Sequence, residues 1–215
     1  MKKLFPFLTI LLFSASLVRA VAETEDFAAA VAAGKVSVTF RGNGGSSGDA
    51  IEATVVTTPK AGGDLVLTVA PGTRLQSGNA SAQNMVIAGM RGQAVDANRF
   101  VARSEISASA TPRTYVLDAY CTDFEKDNPS IGTQFSLGKV DPVLACILGE
   151  ANSTVVKQAA VWIYTDKASY SHVNQKFTVS QSDWDAATAI VRKCSELKKD
   201  NGTLPPTPLP AASHP

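Results

Sequence analysis

From Lys35 to Cys121 the sequence alternates apolar and polar residues in short runs, and turn-forming clusters stop the first three. "KVSVTF" gives way to "RGNGGSSG", "AIEATVVTT" to "PKAGG", and "DLVLTVA" to "PGT". "QNMVIAGM", "QAVDANRFVARSEISASA" and "TYVLDAYC" continue the series. A period of two sends successive side chains to opposite faces, which suits a sheet with one face buried. Several short strands at this spacing predict an antiparallel sandwich or a partly open barrel. The Gly-rich "GNGGSSG" lies between two such runs, with no helix after it to supply a dipole. It reads as a hairpin loop and not as a phosphate cradle.

Beyond Cys121 the pattern changes. "TDFEKDNPSIGTQF" reads as a loop containing Pro129 and Gly132. Asp141 and Pro142 fit the N-cap and first position of a helix through "VLACILGEA". Asn152 or Ser153 caps a second helix through "TVVKQAAVWIYTD". In "SQSDWDAATAIVRKCSELKK", Trp184, Ala187, Val191, Cys194 and Leu197 fall on one helical face, with polar residues opposite. Near the start, "ETEDFAAAVAAG" reads as a short helix ended by Gly34, or equally as an N-terminal arm. The expected class is α+β: an antiparallel β-sandwich or partly open barrel followed by a small helical subdomain. Residues 23–124 form the β-rich part and 125–199 the loop and helical part of the same globular unit.

The two ends read differently from the middle. "MKKLFPFLTILLFSASLVRA" has the basic start, apolar stretch and small residues of a secretory signal peptide, with cleavage after Ala20 or Ala22. The expected location is therefore secreted or periplasmic, with no membrane span in the mature chain. Residues 200–215 are Pro-rich and read as a disordered tail. Taking Lys2, Lys3 and Arg19 from the 20 basic residues leaves 17 against 19 acidic ones. That balance, without a basic stripe, argues against nucleic acid as a partner.

Few residues are equipped for familiar chemistry. The two histidines are His172, in the polar "YSHVNQK", and His214, in the tail. A hydrolase of the Ser–His–Asp or Cys–His kind would have to use His172, and no serine sits in a nucleophile elbow. His172 reads as a solvated loop residue. No CxxC, paired histidines at helical spacing or EF-hand loop is present, so no metal or other cofactor is expected. Three cysteines, an odd number for an exported chain, suggest one disulfide and one thiol set apart.

The thiol that stands out is Cys121 in "YCTDF", at the end of a strand-like run. Gln158 opens the apolar stretch of "KQAAVWIYTD", and Gln158, Trp162 and Asp166 share one helical face. A cysteine thiol and a glutamine carboxamide condense to an internal thioester when strand and helix hold them together. "YCTD" followed by "QAAVW..TD" resembles the thioester domain of bacterial surface adhesins, over about residues 114–167. The resemblance implies a mixed β and helical fold in which Cys121 and Gln158 form the bond. Trp162 corresponds to the family's helix tryptophan and would shelter it. Tyr120 would flank the bond, and Asp123 or Asp166 would manage protons. It further implies covalent adhesion, through capture of an accessible amine on a partner protein, usually a lysine. That is single-turnover binding, not enzymatic turnover. The chain departs from the family at Lys157, where Thr usually precedes the glutamine, and at Thr122, where an apolar residue usually follows the cysteine. With Cys121 in the thioester, Cys146 and Cys194 remain as a disulfide pair. The competing pairing joins Cys121 to Cys146 and leaves Cys194 buried. The alternative function is a non-reactive extracellular or periplasmic structural or ligand-binding β-module, with Gln158 and Trp162 as core residues.

Overall fold

The alternating runs pair as antiparallel strands that close on themselves. The computed structural model describes residues 24–96 and 99–201. The expected signal segment 1–22 and the Pro-rich end from 202 onward lie outside the described residues. The strands are β1 (Thr24–Asp26), β2 (Val36–Gly42), β3 (Ser47–Thr57), β4 (Leu65–Thr68), β5 (Thr73–Ser77), β6 (Met85–Asp96), β7 (Arg99–Ala102), β8 (Ile106–Ala108), β9 (Arg113–Cys121) and β10 (Gln134–Val140). The helices are α1 (Phe27–Ala32), α2 (Pro142–Glu150), α3 (Thr154–Asp166), α4 (Tyr170–Val173) and α5 (Gln181–Asn201).

The protein is α+β, and its β part is a closed barrel. The ring runs β5-β10-β2-β3-β9-β6, and β6 pairs back onto β5. Every pairing in the ring is antiparallel. Closure removes the exposed edges that an open sheet of this length would carry. The strand that completes the ring, β10, lies in the stretch whose sequence reads as a loop running into α2. "QFSLGKV" carries too little apolar alternation to announce itself, and its burial is correspondingly patchy. The second unexpected strand, β1, is only three residues long and pairs in parallel with β4. With β8 these two form a small separate sheet beside the barrel.

Alternation decides which side chains fill the barrel. Phe40 stands opposite Ala53, and Ala53 opposite Tyr115, so a large ring on each side meets a small residue between. All three are buried. Ser37, Thr39 and Arg41, the intervening residues of β2, are exposed. β6 keeps β9 along one edge from Met85 to Gln93 and takes two partners in sequence along the other. Its first half lies between β5 and β9, and its second half pairs with β7. Register shifts at Ile87/Gly89 and Met90/Gly92 mark where it changes direction, the usual effect of a bulge.

Helices α2, α3 and α5 sit where the sequence signals put them, while α4 falls in a stretch read as a loop. Asp141 caps α2 through Val143 N–H and Leu144 N–H, with Pro142 in the first turn. Ser153, the second of the two candidate caps, accepts from Val156 N–H at the start of α3. Asp141 also receives Arg74 of β5 at 2.8 Å, which ties α2 to the barrel. The approach is close at Gly72, whose φ is +84°. A Cβ there would stand 2.5 Å from the Asp141 carbonyl and 2.7 Å from the Ala145 nitrogen. On α5, Ala187 and Cys194 are buried while Trp184 and Val191 pack at the core margin. Cys146 of α2 and Cys194 of α5 form a disulfide. Among the described residues no helix is long and apolar enough to cross a membrane.

Two stability outcomes follow. Gly72→Ala combines a disfavoured φ with a clash against backbone, and should cost about 1–3 kcal/mol in urea unfolding. The disulfide closes a sequence separation of 48 residues. Replacing both its cysteines by Ser should cost about 4 kcal/mol if loop entropy governs. The single Cys121→Ser chain should remain as sensitive to reductant as the wild type.

Candidate functional site

Cys121 is the last residue of β9 and ends a row that faces into the barrel. Its cross-strand partner is Met85, whose partner on the other side is Leu75. All three are fully buried. Cys121 is the free cysteine, so neither sulfur of the disulfide competes for it. Because strand side chains alternate, Tyr120 points to the opposite face. There its hydroxyl lies 3.4 Å from Asp118 Oδ2, and the Lys157 ammonium stands 5.8 Å from its ring centroid. Lys157 is itself 3.6 Å from Asp118.

Gln158 comes to Cys121 from α3. The helix carries an apolar face formed by Val156, Ala159, Ala160 and Val161, and this face buries Gln158 with it, at 0 % exposure. A carboxamide so placed must find partners inside the protein. It finds them on one residue. Gln158 Nε2 donates to the Cys121 carbonyl at 2.9 Å, and Gln158 Oε1 accepts from the Cys121 N–H at 3.1 Å. The same N–H also reaches the Ser46 carbonyl at 2.9 Å. The glutamine thus continues the strand pairing past the end of β9, using a side chain as the next partner. The pair quoted from the sequence, 37 residues apart, is brought into direct contact through the Cys121 main chain.

Trp162 follows one turn later and is 3 % exposed. Its indole N–H donates to Gln83 Oε1 at 3.3 Å, and Gln83 in turn donates to Asn128. Phe124 and Phe177 meet its ring edge-on, with centroids 5.0 and 5.3 Å away. His172, read from the sequence as a solvated loop residue, keeps a 43 % exposed side chain but stands on a helical turn. It lies in α4, packs edge-on against Phe124 at 5.0 Å and places Nε2 3.2 Å from Glu125. Lys176 also reaches Glu125, at 3.4 Å, and holds its ammonium 4.9 Å from the Phe124 centroid.

Asp123 and Asp166 both line a hollow of about 350 Å³, together with Arg74, Thr122 and Lys167. Asp123 Oδ2 accepts from Asn84 N–H at 2.8 Å and from the Thr122 hydroxyl. Asp166 ends α3 and accepts from Thr165 Oγ1 at 2.6 Å. Partial burial raises the Asp166 carboxyl above its ordinary range. The Thr165 hydrogen bond and the Phe124 backbone oppose that shift, and the charges of Asp123 and Glu125 add to it. The Cys121 thiol is pushed far up by burial, with the Asp123 charge adding. The Tyr120 hydroxyl is raised the same way, by burial first and then by Asp118. Cys121 is accordingly a protonated thiol at neutral pH, the opposite of a pre-ionised nucleophile.

Gln83, Phe124, Glu125, Lys176 and Phe177 complete the surroundings, and sequence reading did not single them out. Phe124 lay inside the quoted "YCTDF". Gln83 is 79 residues from Trp162 and carries no local signal. Among the described residues no group of three or more His, Cys, Asp or Glu side chains is arranged to hold a metal ion. No family model, curated protein or solved structure matches the chain.

Two substitutions probe this geometry. Gln158→Ala strands a buried carbonyl, and should cost about 1–3 kcal/mol in chemical denaturation. For Asp166 the folded-state pKa lies above the unfolded one. Its contribution is favourable below the unfolded value and lost as pH rises through the folded one. Asp166→Asn should therefore be the more stable chain at neutral pH, by under about 1 kcal/mol because the carboxylate keeps contact with solvent. The two chains should unfold alike near pH 3.

Proposed function

We propose that this chain is a secreted or periplasmic binding module of the thioester-domain kind. In this reading Cys121 and Gln158 condense to an internal thioester, which a primary amine on a partner protein then opens. The observation that carries the reading is the Gln158 carboxamide, buried and hydrogen-bonded to both main-chain groups of Cys121.

The chemistry balances without a co-reactant. The Cys121 sulfur adds to Gln158 Cδ, the C–N bond breaks, and the thiol proton leaves with the amide nitrogen as ammonia. Charge that develops on Gln158 Oε1 faces the Cys121 N–H, a donor already in place. Aminolysis reverses the exchange. The partner's amine nitrogen bonds to Cδ, the C–S bond breaks, and a proton from the amine returns to sulfur. An amide then joins Gln158 to the partner, and Cys121 is a free thiol again. Burial supports the intermediate stage, because a thioester persists only where water is kept out. The Cys146–Cys194 disulfide is in keeping with an oxidising compartment.

The second reading is a non-reactive β-module in which Gln158 is a clip that extends β9. The carboxamide hydrogen bonds favour it, since both Gln158 Nε2 and Oε1 already have a main-chain partner. Intact mass separates the two. Wild-type protein should be lighter than its sequence by one ammonia beyond the hydrogens of the disulfide. Cys121→Ala and Gln158→Ala should lack that deficit, and a methylamine pulse should add to wild type alone. A wild-type mass short of disulfide hydrogens only would discard the thioester and leave the clip.

A further inference from the structure

We propose that a second hollow, beside Trp162, is the entry port for the amine. It accepts a primary ammonium carried on an alkyl stem, as in a lysine side chain, and Lys176 of this chain occupies the cation position until displaced. The proposal deepens the thioester reading and rests on it for its covalent step.

The hollow measures about 230 Å³, and Phe124, Trp162, Phe177, Gln83 and Ser46 are among the residues that line it. It adjoins residues that hold the reacting pair. Trp162 stands one turn from Gln158, and the Ser46 carbonyl holds the Cys121 N–H. The volume is several times that of a water molecule, which leaves space for an alkyl stem. Three aromatic rings suit such a stem, and an aromatic face attracts the ammonium at its end.

The chain's own lysine shows the fit. Lys176 places its ammonium 4.9 Å from the Phe124 centroid and 3.4 Å from Glu125 Oε2. It is the arrangement expected of a bound ammonium, here supplied in cis by a half-exposed side chain that can swing out. Asp127 adds a second carboxylate to the lining. Lys126, the remaining cation there, lies 3.7 Å from Asp123. An incoming ammonium therefore meets Glu125 and the Phe124 face as soon as Lys176 leaves, and it gives its extra proton to the solvent-exposed Glu125 carboxylate, and so to water, before the neutral amine attacks.

Two measurements test this. In the first, wild type and Lys176→Gln are pulsed with n-pentylamine and, separately, with hydroxylamine, and adducts are followed by intact mass. The expected result is a pentylamine rate about threefold higher in Lys176→Gln and lower in Glu125→Gln, with hydroxylamine rates unchanged. Equal pentylamine rates in a protein that has lost its ammonia would overturn the port and leave the thioester standing. The second needs no thioester. In Cys121→Ala, tryptophan fluorescence is titrated with n-pentylamine hydrochloride against 1-pentanol. A saturable response to the ammonium alone, about threefold tighter when Lys176→Gln is added, supports the port. An equal response to both compounds, or none, would overturn it whether or not the thioester forms.

Discussion

A glutamine side chain with no access to solvent is the constraint on which the rest of the site depends. Once Gln158 is buried, its donor and acceptor must both be satisfied, and the end of β9 offers one N–H and one C=O in reach. Meeting both at once fixes the distance and rotation of α3 relative to the barrel. Trp162 then has one place to go, against Phe124, Phe177 and Gln83. A helix held only by apolar contact can slide by small steps at little cost. One held by a bidentate amide cannot, because a slip strands two polar groups in a low-dielectric setting.

The same enclosure sets the terms for any chemistry there. Burial keeps the Cys121 thiol protonated and places a single backbone donor on the carboxamide oxygen. Such a setting disfavours charged nucleophiles and favours transfer between neutral groups. It also protects whatever bond is made. Asp123 and Asp166 line a neighbouring hollow, and neither shares a hydrogen bond with Gln158.

The fold was legible wherever local pattern and packing agreed. Alternation in "AIEATVVTT" and "TYVLDAYC" marked β3 and β9, which lie side by side in the wall and bury alternate residues. The Asp141-Pro142 and Ser153 signals marked two helix starts, since caps are local chemistry. β10 was not legible. It is held by main-chain pairing with β5 and β2, and such pairing leaves no trace in side-chain pattern. Closure of the barrel, which depends on β10, was hidden with it. At the site, the contact between residues 121 and 158 followed from chemistry-bearing residue types at suggestive positions. Gln83, Glu125 and Lys176 did not, because each becomes relevant only through long-range folding. His172 was misplaced for the same reason: polar neighbours in sequence said nothing of the Phe124 ring it packs against.

The position of Cys121 at the end of an inward-facing row also bears on how the chain matures. Thiol–disulfide exchange requires that an attacking sulfur reach its target. As β9 joins Met85 and Leu75 inside the closing wall, its sulfur is withdrawn from exchange, while Cys146 and Cys194 lie on helices outside the barrel. The closed wall therefore separates three chemically equivalent residues into one thiol held in the barrel and two sulfurs joined between α2 and α5. While the wall stays closed, a reductant that opens the helix pair exposes two thiols to exchange and not three.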